Sequence, residues 1–528
     1  MAPTTTQCIY IDNNAVQNGG GAAQTGATTT LPPAVQCPNL LDADEFRRHG
    51  HQVIDFIADY YGRMDEYPVH PDVTPGFLRR QLPEEAPSRP KPGAFAAALR
   101  DVRDLMLPGM THWQSPRHFA HFPASSSVAG ALGEALTAGI NVVPFTWAAS
   151  PAATELEMVV VDWLGKALHL PEGFLFCGGG GGTLLGTSCE AILCTLVAAR
   201  DRKLGGGGGS RRRIGDLAVY CSDQTHFAFS KAARIAGIPR ENVREIATCR
   251  HDDMFALSPA KLRAAMRDDA DAGLVPLFVC ATVGTTQTAA VDPVRELCAV
   301  AAEHGAWVHV DAAYAGSALV CPEFRHVAAG VEAADSFSMN AHKWLLANND
   351  CCALWARNPS LLVAALGTDP EYILKHHPQG GIIEEHDVVD YKDWSVALTR
   401  RFRALKLWLV LRVHGVDGLR DHIRAHVRMA ALFETMVRRD PRFEVVTPRR
   451  FALVCFRLRS PPDDNGKKAN DLNRKLLQRV NAAGPYMSAA NVGGIYMLRC
   501  AVGSTLTEER HVRDAWKVVQ EQAASLLS

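Results

Sequence analysis

The sequence is short of several features that would mark other classes of protein. It has no run of about 18 apolar residues, so a transmembrane helix is not expected. Residues 1–36 contain no Lys or Arg and are rich in Thr, Ala, Gly, Asn and Gln. That composition fits neither a signal peptide nor an Arg-rich transit peptide, and 1–37 is read as a disordered tail. Neither sign of charge dominates: 55 Lys+Arg stand against 56 Asp+Glu. Arg211–Arg213 is too small a basic block to suggest a nucleic-acid partner. The 14 Cys include no CxxC pair, and Cys351–Cys352 are adjacent, so no metal site is expected. Several, such as Cys280 in LFVCAT, sit in apolar runs, as reduced core thiols of a cytoplasmic protein would. The glycine run Gly178–Gly182 is not followed by GK[ST], which excludes a P-loop.

What is present is an ordinary globular composition, 47% hydrophobic and 21% charged over 528 residues, enough for a large core. Asp42 or Asp44 is placed to cap a helix through FRRHGHQVIDFIADYYGRM, with Phe46, Val53, Ile54, Ile57 and Tyr61 as its apolar stripe. The Pro-rich stretch from Tyr67 to Pro92 reads as an extended arm lying over the protein body or another subunit. From about Ser127 to Leu405, apolar runs (LAVYCS, LVPLFVCAT, AWVHVD) alternate with helical segments (CEAILCTLVAARDRKLG, DPVRELCAVAAEHG). The fold class is therefore α/β, a mostly parallel sheet with helices on both faces. Four regions are expected: a tail over 1–37, a helical and extended segment over 38–127, a large domain over 128–405, and a small α+β domain over 406–528. The second glycine run, Gly205–Gly209, reads as a surface loop.

Parallel sheets bind ligands at the carboxyl ends of their strands, where the polar clusters SDQTH, ATVGTT, HVD and MNAHK fall. Asp311 ends the strand AWVHVD among small residues, and a buried carboxylate needs a positive or proton-donating partner. The pyridine nitrogen of pyridoxal phosphate (PLP) fits, although a helix N-cap is the simpler reading of Asp311 alone. Lys343 follows a strand and a histidine, before an apolar WLL. Gly186–Thr187–Ser188–Cys189–Glu190 opens a helix whose N-terminus suits an anion, with Gly178–Gly182 ahead of it to allow close backbone approach. His226, after LAVYCS, has a flat ring able to stack on a cofactor and to bond a substrate carboxylate.

Taken in order, SPAATELE, GTSCEAILCTLVAARD, SDQTH, CATVGTT, VHVDAAYAGSA, CPEFRH and NAHKW resemble the plant aromatic amino acid decarboxylases, of the group II PLP decarboxylases. The likeness continues through DPEY, RRFRALKLWLVLR, FALVCFRL and TLTEERHV, from about residue 38 to the C-terminus. It implies the aspartate-aminotransferase type of fold (fold type I) and a homodimer with shared active sites, the N-terminal segment packing on the partner. The cofactor implied is pyridoxal 5'-phosphate, held covalently by Lys343. Asp311 would pair with the ring nitrogen, with Ala313 on one ring face and His226 on the other. Ser188, Cys189 and Asn340 would bind the phosphate, helped by Thr399 from the partner, and Thr286 and His342 would complete the polar wall.

The activity implied is decarboxylation of an aromatic L-amino acid. Tyr372, in TDPEY, matches the family's mobile-loop tyrosine that returns a proton to Cα; in the related aldehyde synthases that position is Phe. Tyr372 and His226 together favour amine over aldehyde. By family position the substrate pocket holds Trp113, His121, Phe122, Val143, Phe145, Asn349 and Thr399. Thr399 stands where indole-preferring members carry Gly and phenol-preferring members Ser, which points to tyrosine or dopa, with tryptophan as the alternative. Three residues depart from the family: His121 for Tyr or Phe, Pro144 for Gly, and Asn349 for an apolar residue. His121 and Asn349 add polar groups suited to a hydroxylated ring.

Overall fold

The computed structural model describes residues 40–89, 91–205, 213–251, 254–368, 389–459 and 467–528. The chain divides into two units, 1–58 and 59–528. The described part of the first consists mainly of the start of the helix Ala43–Gly62. Of the two aspartates, Asp42 is the one that caps it, its Oδ1 accepting from the amides of Asp44 (3.1 Å) and Glu45 (2.9 Å). The expected stripe is exposed at Phe46, Ile54 and Ile57. In the second unit, the described residues between Tyr67 and Pro92 form neither helix nor strand.

A two-residue strand, β1 (His118–Phe119), precedes the large sheet. That sheet comprises β2 (Gly181–Leu185), β3 (Leu217–Ser222), β4 (Val243–Ile246), β5 (Val275–Thr282), β6 (Trp307–Asp311), β7 (Ser336–Asn340) and β8 (Cys352–Ala356). The spatial order is β2-β8-β7-β6-β5-β3-β4. Pairing is parallel from β7 through β6, β5 and β3 to β4, and antiparallel where β8 lies between β2 and β7. Every residue of β3, β6, β7 and β8 is buried. With both faces covered, β3 (LAVYCS) and β8 (CALWA) run almost continuously apolar, whereas β7 (SFSMN) buries two serines and an asparagine as well.

The glycine run that leads into β2 and supplies its first two residues serves packing. A Cβ at Gly180 would lie 2.2 Å from the Gly173 carbonyl oxygen, and one at Gly182 would lie 2.4 Å from Val161 Cγ1. The close approach the run allows is thus to the protein's own 172–174 turn and a neighbouring helix.

The second sheet takes β1 together with β9 (Phe443–Val445), β10 (Leu453–Leu458), β11 (Tyr486–Val492) and β12 (Ile495–Ala501), in the order β1-β11-β12-β10-β9. Its core is aromatic: Trp516, on the helix Glu509–Leu527, meets Phe433, Phe443 and Phe456 at ring distances of 5.6, 5.0 and 6.1 Å. Edge strand β1 comes from residues 118–119, far from the rest of the sheet in sequence, and this places His121 and Phe122 beside it.

Candidate active site

The carboxyl ends of β6 and β7 build the centre. Asp311, the last residue of β6, is 4% exposed. One oxygen accepts from the Ala313 amide at 3.0 Å, which is the capping role open to such an Asp. Its Oδ2 has no hydrogen-bond partner among the described residues. Burial pushes this carboxyl up, while Lys343 and the Ala313 amide pull it down. Lys343 lies in the single turn Ala341–Trp344 that follows β7. Its Nζ is 5.9 Å from the Phe122 ring centre. Burial lowers its pKa, opposed by the charge of Asp311.

The anion end lies at the start of the helix Ser188–Gly205. Ser188 Oγ donates to Asn340 Oδ1 at 2.8 Å, which joins the end of β7 to that helix start. The Cys189 amide points back to Thr187 Oγ1 at 3.3 Å. His226 follows β3, and its Nδ1 accepts from the Ala228 amide at 3.2 Å. The ring proton is therefore on Nε2, which is left to donate. Burial lowers its pKa, with the charge of Asp311 acting against this. Lys343, Asp311 and His226 thus form one electrostatic group, and Cys189 and Cys352 also act on Lys343. The set fits PLP: a partnerless carboxylate oxygen for a ring nitrogen, an amine, and a Ser/Asn pair at a helix start.

One wall is a column of rings. Phe122 stacks on Tyr314 (3.6 Å, 9°), Tyr314 on Trp344 (4.9 Å, 16°), and Trp344 Nε1 donates to His426 Nδ1 at 2.9 Å. Arg499 also lies over the Phe122 ring, its guanidinium 5.4 Å from the ring centre. Arg499 donates to Gln287 O (2.9 Å), Thr286 O (2.8 Å), Ala120 O (3.1 Å) and Ser488 Oγ (2.7 Å). It ties the second sheet to the loop bearing Thr286 and to the segment bearing Phe122. The side chain of Thr286 is itself exposed. His342 turns to the backbone, its Nδ1 accepting from the Cys351 amide at 2.8 Å.

The expected pocket residues fall into two groups. Trp113 stacks on His118 and His121, each at 5.0 Å, beside Phe122 in the chain. Val143, Pro144 and Phe145 are brought to Thr399 by its neighbour Arg400. Arg400 is buried, pairs with Glu157 (2.6 and 3.1 Å), and also donates to Pro144 O (3.3 Å) and Leu184 O (3.1 Å). Val143 and Thr399 are exposed in the single chain. Asn349 is exposed too, and makes no hydrogen bond with a described residue. Ala313 is half-buried next to Asp311. Tyr372 lies outside the described residues.

His118, His342 and His426 are each pushed down to about 4, chiefly by burial. In an unfolded chain each would titrate near about 6.5. Between these values the unfolded state binds protons that the folded state does not, so stability falls as pH drops from 6.5 towards 4. The slope expected is up to about 1.4 kcal/mol per pH unit for each histidine. Urea unfolding at pH 7, 6 and 5 should show it, and His426→Gln should flatten it; a pH-independent midpoint would refute this account.

Compared with known proteins, residues 75–459 match the model of the pyridoxal-dependent decarboxylase conserved domain. Tyrosine decarboxylase of Oryza sativa subsp. japonica is 74% identical over 538 aligned residues, covering 100% of this chain and 99% of the rice protein. Phenylacetaldehyde synthase of a Rosa hybrid cultivar is 55% identical, covering 93% of this chain and 96% of its own. The crystal structure of Oryza sativa TDC with PLP and tryptamine superposes with a TM-score of 0.89 at 48% identity, over 93% of this chain and 100% of that one.

Proposed function

Because this chain belongs to the pyridoxal-dependent decarboxylase family, we propose that it removes the α-carboxylate of an aromatic L-amino acid, L-tyrosine or L-dopa before L-tryptophan, releasing CO2 and the amine. The observation that carries the reading is the group Asp311, Lys343 and His226 at the carboxyl ends of three strands of one sheet. When bound, PLP supplies an electron sink for the pair left as CO2 departs. Asp311 holds a proton at the ring nitrogen, and Lys343 anchors the cofactor. Ser188, Cys189 and Asn340 take the phosphate. His226, a neutral ring with its proton on Nε2, donates to the substrate carboxylate and orients the bond to be broken. Phe122, stacked on Tyr314 and contacted by Arg499, excludes water from that side. Tyr372 then delivers a proton to Cα, which sets amine release apart from aldehyde formation.

For substrate choice, Thr399 narrows the pocket against indole, and His121 and Asn349 supply polar atoms for ring hydroxyls. Transamination is disfavoured because Arg499, the buried arginine of this wall, already spends its donors on protein acceptors. Sharing of the site in a homodimer is supported by the exposed stripe Val128, Leu132, Leu136 and Ile140 on the helix Val128–Ile140 and by exposed Thr399. A cytoplasmic setting is supported by the unpaired thiols, and no helix among the described residues is long and apolar enough to cross a membrane.

The deciding experiment incubates the PLP-loaded protein separately with tyrosine, dopa, tryptophan and phenylalanine, and follows CO2, amine, aldehyde and peroxide. Amine equal to CO2, without peroxide and greatest for tyrosine or dopa, is expected. Aldehyde with peroxide would overturn the role of Tyr372, and tryptamine as the main product would overturn that of Thr399.

A further inference from the structure

Away from the Lys343 group, the loop after β5, the 324–329 segment and the segment before β10 line a partly open cavity of about 520 Å³. Asp292, Phe324, Arg450 and Phe451 line it. Arg450 stands out among its arginines. Arg449 donates to Glu434 (2.9 Å) and to Phe451 O (3.0 Å), and Arg295 pairs with Glu332 at 3.3 Å. The Arg450 guanidinium makes no hydrogen bond or ion pair with any described residue, and its Nη1 is buried. A guanidinium cannot shed its charge, and a buried donor left without an acceptor is costly. Burial lowers the pKa of Arg450, with only the charge of Asp292 acting against it. Asp292 is already engaged: its two oxygens accept from the Leu257 and Thr282 amides, each at 2.7 Å.

The rest of the lining narrows the ligand. Arg295 and Arg449 are already paired with Glu332 and Glu434, and Asp292 and Glu296 also line the site, so the charge left for a ligand is at most that of the single Arg450 guanidinium, which suits a monoanion better than a dianion. The planar fork of Arg450 matches a carboxylate. Phe324, partly buried and backed by the buried Phe451 at a ring distance of 5.8 Å, offers ring surface to an aromatic group. We propose that this cavity is a second ligand site, which binds a small aromatic carboxylate with its carboxylate on Arg450 and its ring against Phe324. The site is separate from the decarboxylation centre and does not depend on which amino acid that centre takes.

The test is calorimetric titration of benzoate into the PLP-loaded wild type, Arg450→Met and Arg450→Lys, with acetate and inorganic phosphate as comparison ligands. Benzoate is expected to bind the wild type, at least about tenfold more weakly to Arg450→Met, and with intermediate affinity to Arg450→Lys, which keeps charge but not the fork. Acetate and phosphate should bind more weakly than benzoate. Equal benzoate affinity in wild type and Arg450→Met overturns the proposal, as does phosphate or acetate binding the wild type as tightly as benzoate. Circular dichroism checks folding, and if Arg450→Met does not fold, Arg450→Lys decides by the same comparison.

Discussion

A Lys343→Ala variant should lose PLP on gel filtration and decarboxylate at least about 10⁴-fold more slowly than the wild type, the scale seen when a covalent group is removed from an enzyme. The expectation rests on where the amine stands. Nζ faces the ring of Phe122 at 5.9 Å, and Asp311 is the leading charge acting on it. Burial lowers its pKa, so more of it is the neutral nucleophile at a given pH than for a surface lysine. Lys343→Arg keeps the charge but cannot attack a carbonyl carbon, and should be as inactive as the alanine variant. Turnover within about tenfold of wild type in either would remove Lys343 from its assigned role; visible absorbance after gel filtration gives the cofactor content independently.

Asp311→Asn should keep PLP bound yet lower kcat by about 10²–10³-fold, typical of losing one preorganised electrostatic group. Ser188 and Asn340, proposed to hold the phosphate, lie on other elements, so retention should survive. What would be lost is the negative charge proposed to face the ring nitrogen. The amide still accepts from the Ala313 amide, so the local turn should hold and the thermal midpoint change little. A large kcat loss with near-normal cofactor content separates the electrostatic role from a structural one. An unchanged kcat would show that Asp311 is only the cap of its turn.

Much of this centre was legible in the sequence. The ends of LAVYCS, AWVHVD and SFSMN marked strand termini; Asp311 is the last residue of the second, and His226 and Lys343 follow the other two. The helix start at Ser188 and the buried character of the parallel strands were likewise readable from local pattern. Other features were not. The Gly178–Gly182 run read as room for a phosphate, but the space at Gly180 and Gly182 is taken by the 172–174 turn and Val161. Glu157 closes SPAATELE and Arg400 opens RRFRALKLWLVLR, yet nothing in either segment shows that the two meet across 243 positions, or that Arg499 meets Ala120 across 379. His426, the acceptor for Trp344, was one histidine in an ordinary helical segment.

The division has a physical cause. Strand and helix identity, their ends, and the reactive residue at each end depend on contiguous residues: periodicity, capping and turn chemistry act over a few positions, so the sequence alone determined them. The partners of long buried cations depend on which distant backbone the folded chain brings near, and a guanidinium donates to any carbonyl or carboxylate oxygen within reach. Only the tertiary structure decided that Arg400 clamps the Thr399 segment to Pro144, that Arg499 steadies Phe122 and the Thr286 loop, and that Arg450 faces a cavity.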